Sequence, residues 1–174
     1  MKFMKIRFQL LKRVAKLVLP VIFLFGLYQQ VSAQEPPPRP LQVTIDQSLG
    51  FGAFAQGPAG GTITVNTAGI RSFTGDIILL NLGYSFSAAT YRITGNAGTV
   101  VSILNGTDVS LPGSNGGSMI LHIGASDPAS PFVLLTSPPA FTLMNVGATL
   151  SVGNPASNPP GNYSGTFDIT FIQE

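Results

Sequence analysis

The stretch YSGTFDITFIQE (residues 163–174) closes the chain with a nearly perfect alternation of two kinds of side chain. One side carries Tyr163, Gly165, Phe167, Ile169 and Phe171, and the other carries Ser164, Thr166, Asp168 and Thr170. Alternation with a period of two is typical of a strand that buries one face. The pattern therefore predicts a terminal strand whose Tyr163, Phe167 and Ile169 contribute to a core.

Short strand patterns fill the chain upstream of this stretch. LQVTID (residues 41–46) alternates in the same way, and DIILLNL (residues 76–82) is almost continuously apolar, which predicts a strand covered on both faces. Asn105-Gly106 and Asn115-Gly116 favour tight hairpin turns. Because no helical periodicity follows residue 33, the predicted class is all-β, an antiparallel sandwich or barrel.

The first 33 residues have the organisation of a secretory signal peptide. Six basic residues and no acid precede the apolar run Leu17–Leu27, which is too short to span a bilayer comfortably, and VSA follows. We expect a cleavable signal helix (residues 1–33) with the cut after Ala33, a proline-rich tether QEPPPRP (residues 34–40) and one β-domain (residues 41–174). The expected location is outside the cytoplasm, secreted or in the periplasm or at the cell surface of a bacterium, with no transmembrane span after cleavage.

Signal removal reverses the charge of the protein. Residues 34–174 keep three arginines, no lysine and all seven acids, which leaves a net charge of −4. With so few cations to neutralise phosphates, a nucleic-acid partner is not expected. The chain has no cysteine, so its core must hold the fold without disulfides.

Catalytic and metal-binding patterns are weak throughout. His122 is the only histidine, it alternates with Met119, Leu121 and Ile123 so that it faces solvent, and no G-x-S-x-G motif accompanies it. Asp108 and Asp127 fall in loop-like positions, where turn capping explains them better than a metal site. We predict no enzymatic activity, no cofactor and no metal.

Aromatic residues in glycine- and serine-rich stretches provide the one indication of binding. Phe51, Phe54, Tyr84 and Phe86 lie where exposed rings could stack on a sugar or contact a protein. Packing beneath a loop explains the same four residues equally well, so both interpretations stand at this point.

The motif G-x-Y-x-G-x-F (Gly161, Tyr163, Gly165 and Phe167), with GTITVNTAGIRSFTGDIILL and GSMILHIG upstream, resembles a known family. It is similar to an uncharacterised family of small secreted bacterial domains, a domain of unknown function, that looks related to Mat/Ecp-type fimbrillins and spore-coat-U-like pilin domains. The resemblance covers about residues 41–173. It implies an immunoglobulin-like antiparallel β-sandwich without catalytic residues.

The resemblance implies a surface structural protein, a fimbrial-type subunit that assembles with itself, or with another envelope protein, by strand exchange. LQVTIDQSL (residues 41–49) could be the donated strand, since extended segments can add to a sheet edge. Pairing of this segment within its own domain, next to the terminal strand, is the alternative and is slightly favoured. A monomeric adhesin-like module that binds a glycan or a protein is the rival function.

Overall fold

A computed structural model of the chain describes residues 39–174. The predicted signal peptide and most of the proline-rich tether lie outside the described residues. Residues 39–174 contain no helix that could cross a bilayer. They form twelve strands: β1 (Gln42–Gln47), β2 (Gly50–Phe51), β3 (Ala53–Val65), β4 (Arg71–Leu80), β5 (Phe86–Ser87), β6 (Ala89–Thr94), β7 (Val100–Asn105), β8 (Val109–Pro112), β9 (Ser118–Asp127), β10 (Phe132–Val133), β11 (Thr142–Val152) and β12 (Ile169–Gln173).

The largest sheet is built around β11. This strand pairs with β6 through Thr142–Val146 and with β3 through Ala148–Val152, and its partner β9 spans most of both halves. The register against β9 shifts between Val146 and Ala148, so the interruption falls at Gly147. β1, β4 and β8 complete this seven-stranded antiparallel sheet at its margins. FTLMNV (residues 141–146) and ATLSV (residues 148–152) are two separate strand patterns in the sequence, with Gly147 between them, and the structure joins them into the single strand β11.

A three-stranded sheet, β10-β7-β12, packs against the large sheet and shares its core. The fully buried side chains of Ile63, Ile93 and Met144 come from the large sheet, and Val101 comes from β7. The ring of Tyr91 meets the ring of Phe171 edge to face across the layers, with centroids 5.5 Å apart. Burial raises the pKa of the Tyr91 phenol above its usual value. A short ribbon, β2-β5, forms a separate pair.

The all-β, antiparallel class predicted from the sequence is confirmed for residues 39–174. β1 pairs within its own domain, as slightly favoured, although its partner is β6 and not the terminal strand. Its end does approach that strand, because the Leu41 N–H donates to Gln173 Oε1 over 2.9 Å.

Three local predictions were wrong. DIILLNL belongs to β4 at the margin of the large sheet, where Ile78 is 62% exposed, so it is not covered on both faces. Asn105-Gly106 makes no hairpin, since β7 and β8 lie in different sheets, whereas Asn115-Gly116 does form the turn between β8 and β9. The terminal strand begins only at Ile169, and Tyr163 makes a single isolated bridge to Gly113.

Candidate functional site

A cleft of about 730 Å³ opens beside the segment that precedes the terminal strand. Its floor consists of apolar side chains of the core, among them Leu111, Met119, Leu121 and Leu150. One wall is Leu49 with β2 and the start of β3, and the opposite wall comes from residues 155–167. We call this feature the core cleft, because buried side chains of the hydrophobic core form its floor.

Three of the four aromatic residues singled out by the sequence lie in the core cleft. Phe51 and Phe54 line the first wall, and Tyr84 stands at the rim with 67% of its surface exposed. Phe86 does not line the cleft, because its ring lies against the guanidinium of Arg71, 4.4 Å from the ring centroid to Cζ. Phe51 and Phe54 also pack against the core and are partly buried, as the packing interpretation expects, whereas Tyr84 and Phe86 are exposed. Contact of these rings with another molecule stays a prediction.

The second wall explains the G-x-Y-x-G-x-F motif. The Tyr163 hydroxyl donates a hydrogen bond to the Pro159 carbonyl over 2.7 Å, which holds the wall in place. Gly165 passes so close to Leu111 that a Cβ there would lie 2.7 Å from Leu111 Cδ2. Tyr163, Phe167 and Ile169 pack against the core as predicted, but each remains only partly buried. These three side chains keep part of their surface exposed, whereas an additional strand at this position would bury them.

Some main-chain groups of this wall have no hydrogen-bond partner within residues 39–174. The N–H groups of Gly165, Thr166 and Phe167 donate to no acceptor among residues 39–174. β12, which follows, pairs with β7 on one edge and with no strand of the described chain on the other. An exposed row of unpaired main-chain groups is a ready template for another extended segment.

Asn158 anchors the loop that carries the second wall. It is the one buried polar side chain of the described residues. Its Nδ2 donates to the Ser118 carbonyl over 2.6 Å, and its Oδ1 accepts from the Gly153 N–H over 2.5 Å. Gln56 Nε2, from the first wall, donates to the Asn158 carbonyl over 2.6 Å. These bonds join the two walls to one another, so the cleft has a defined width.

Arg71 holds the backbone of the first wall, a role that no pattern in the sequence indicates. Its Nη1 donates to the carbonyls of Phe51 and Ala53, over 2.8 and 3.1 Å. Gly52 lies between them with φ of +69°, and a Cβ there would lie 2.6 Å from Nη1. A glycine is thus needed for the backbone to wrap the guanidinium. The signal that could have identified Arg71 is that it is one of only three arginines after residue 33.

The pair His122–Asp108 lies away from the cleft. His122 Nδ1 and Asp108 Oδ1 are 2.7 Å apart, and both side chains are largely exposed. His122 faces solvent as predicted, on the side of β9 opposite Leu121, which lines the cleft. Asp127 ends β9 and does not join them. Residues 39–174 contain no cluster of three or more His, Cys, Asp or Glu side chains placed to hold a metal ion.

Comparison with known proteins yields one match. A family model described as a domain of unknown function, DUF4402, matches residues 41–172. No curated protein and no solved structure matches the chain significantly. The match covers the whole β-domain, including both walls of the core cleft.

Proposed function

The chain belongs to this family of unknown function over nearly its entire β-domain. Since the family description names no function, we propose a role for the protein from the geometry of the core cleft. We propose that the protein is a non-enzymatic structural subunit of fimbrial type, secreted and held at the cell envelope or surface. Its copies associate when an extended segment of one enters the core cleft of the next.

The observation that carries this proposal is the coincidence of an apolar cleft with unpaired backbone. Core side chains such as Leu111 and Leu121 form the floor of the cleft, each more than nine-tenths buried, and the apolar surface that stays exposed lies at the rim, on Leu82 and Tyr84. Directly beside this floor, the N–H groups of residues 165–167 are unpaired within the described chain. An extended segment bound there would cover the apolar floor and accept those hydrogen bonds at once, which is the basis of strand addition.

The character of the cleft also favours assembly over catalysis. None of the described residues that line it carries a charge. The hydroxyl-bearing residues Ser85 and Ser164 line the cleft, but no described His, Asp, Glu, Lys or Arg lines it with them, and the exposed His122–Asp108 pair lies elsewhere.

The interpretation of the fold as an immunoglobulin-like sandwich supports the same proposal. Two antiparallel sheets that share one core agree with an immunoglobulin-like sandwich, and the resemblance to Mat/Ecp-type fimbrillins and spore-coat-U-like domains provides the fimbrial analogy. Export through a signal peptide cut after Ala33 would place the mature chain where such assemblies form.

The proposal is tested by the mass of the mature protein, residues 34–174, measured by light scattering over a range of concentrations. The wild type should form a concentration-dependent series of oligomers. Leu82→Asp, at a rim position that is 65% exposed, should remain monomeric because it places a charge in an apolar contact. The matched control is Leu135→Asp, at a position 85% exposed outside the cleft, which should associate like the wild type. A wild type that stays monomeric at every concentration would exclude self-assembly.

The alternative function is a monomeric adhesin-like module that binds a glycan or a protein. The exposed ring of Tyr84, beside Phe51 and Phe54, is the observation that favours it, because aromatic faces stack well on sugars. This function predicts a monomer whose binding to a glycan array is lost in Tyr84→Ala while its melting temperature is unchanged.

A further inference from the structure

The described chain begins at one end of β1, and the core cleft lies at the other end of that strand. At the first end, Gln173 Nε2 donates to the Arg39 carbonyl and Gln173 Oε1 accepts from the Leu41 N–H. β1 follows, and Leu49, just after it, already lines the cleft. Six strand residues span about 20 Å, so this is the approximate separation of the two ends.

The tether is too short to occupy the cleft of its own chain. If the signal peptide is cut after Ala33, five residues precede Arg39. Fully extended, they reach at most about 18 Å. They would end near the closest rim of the cleft and leave no residue to fill it. A second copy, in contrast, can present its tether end directly to the cleft end of its neighbour.

The chemistry of the two ends is complementary. QEPPPRP contains four prolines in seven residues and favours the polyproline II conformation, in which the carbonyls make no internal hydrogen bonds. The core cleft presents the rings of Phe51, Phe54, Tyr84, Tyr163 and Phe167. Proline-rich segments characteristically dock into grooves lined by aromatic rings.

Hydrogen bonding fits the same occupant. Prolines lack an N–H, so a bound proline run would leave no donor unpaired and would need donors only for its carbonyls. Gly165 and Phe167 line the second wall, and their N–H groups, which have no acceptor among residues 39–174, are donors of this kind. Prolines also lose little side-chain entropy when they become ordered.

We propose that residues 34–38 of one copy dock as a polyproline II segment into the core cleft of a second copy, while Arg39 stays bound to Gln173 of its own domain. The contact joins unlike ends of two identical chains, so it repeats and generates an open filament, or a ring where the rotation between copies closes. This inference rests on the self-assembly proposed above and identifies its donor segment. β1 is the competing donor, and to be exchanged it would have to leave five pairings with β6 and the Arg92–Asp46 ion pair.

Two variants of the mature protein, each defective at one end, test the contact. The tether variant combines Pro36→Ser, Pro37→Ser and Pro38→Ser, which keeps the length of the tether. The cleft variant is Leu82→Asp. Each should associate at least about tenfold more weakly than the wild type. An equimolar mixture should form a dimer and nothing larger, because the intact tether of one meets the intact cleft of the other.

The outcomes separate this inference from the proposed function. A wild type that assembles together with a tether variant that assembles equally well would overturn tether docking while self-assembly through β1 stands. Failure of the two variants to form a dimer, although each alone is monomeric, would overturn the head-to-tail contact. A wild type that stays monomeric, and that does not bind a labelled QEPPPRP peptide, would remove both the inference and the proposed self-assembly. A labelled peptide that binds the tether variant but not Leu82→Asp supports the inference directly.

Discussion

Arg71 provides the sharpest test of how the first wall of the core cleft is held. We expect Arg71→Ala to lower the free energy of unfolding and to loosen β2 without unfolding the domain. The guanidinium makes two short hydrogen bonds, to the Phe51 and Ala53 carbonyls over 2.8 and 3.1 Å, and a weaker one to Leu80 over 3.5 Å. No other side chain can replace these bonds without repacking.

The magnitude follows from the geometry. Two hydrogen bonds from a charged donor contribute about 1.5 kcal/mol or more each, and the stacking on Phe86 adds about 0.5–1 kcal/mol. The Arg71 Nε is buried without a partner among the described residues, and removal of this desolvated group returns part of the loss. We therefore expect a net cost of about 3 kcal/mol. Arg71→Lys should recover only part of it, since a shorter ammonium side chain loses the bond to Leu80 and the stacking on Phe86 even if it replaces Nη1 between the two carbonyls.

The assay is urea denaturation of the mature protein, with Arg92→Ala as the matched control. Arg92 also carries a guanidinium stacked on a ring, that of Phe141, but its ion pair with Asp46 lies at the exposed surface. Such pairs contribute about 0–1 kcal/mol. Hydrogen exchange should show faster opening around Gly52 in Arg71→Ala only. Equal losses for Arg71→Ala and Arg92→Ala would refute the assigned role of Arg71.

Three further substitutions test other parts of the structure. Phe167→Ala should cost about 2–3 kcal/mol in a urea melt, less than for a fully buried ring because Phe167 is partly exposed in the cleft, and a change near zero would contradict its packing. Asn158→Ala should cost about 2–3 kcal/mol, since the Gly153 N–H and the Ser118 carbonyl both lose their partner, and a melt that matches the wild type would refute the anchor. Tyr91 has a pKa raised by burial above the ordinary 10.0, so its stabilising effect is complete below that pH and is lost as the pH rises through the folded value. Tyr91→Phe should accordingly flatten the fall in urea midpoint above about pH 10, and a fall as steep as that of the wild type would contradict this cause.

The sequence predicted the orientation of side chains well where alternation is local. In residues 163–171 the aromatic and aliphatic side chains turn toward the core and the hydroxyls turn outward, as the period of two requires. Orientation depends only on successive backbone dihedrals, so it can be read from neighbouring residues. The same alternation misplaced the start of the strand, because a strand also needs a pairing partner. Pairing of the terminal segment with β7 begins only at Ile169.

The candidate site also has a part that the sequence predicted and a part that only the folded structure shows. Aromatic residues in glycine-rich stretches indicated Phe51, Phe54 and Tyr84, and these do lie together in the cleft. Phe86 has the same local context but lies outside the cleft with one face of its ring against Arg71, a contact between β4 and β5 that no spacing in the sequence indicates. The second wall comes from residues 155–167, far away in the chain, and only the folded arrangement brings it opposite the first.

The sequence by itself determined the class of structure and the properties of the chain that depend on composition. It established an all-β, antiparallel domain, a negative charge after the predicted signal cleavage, and a core without disulfides, because these follow from periodicity and residue counts. Only the tertiary structure decided that β1 pairs with β6, that β4 lies at a margin, and that a cleft with buried core side chains as its floor lies beside residues 165–167. The physical reason is that strand pairing is a contact between distant segments, and many pairings satisfy the same local pattern.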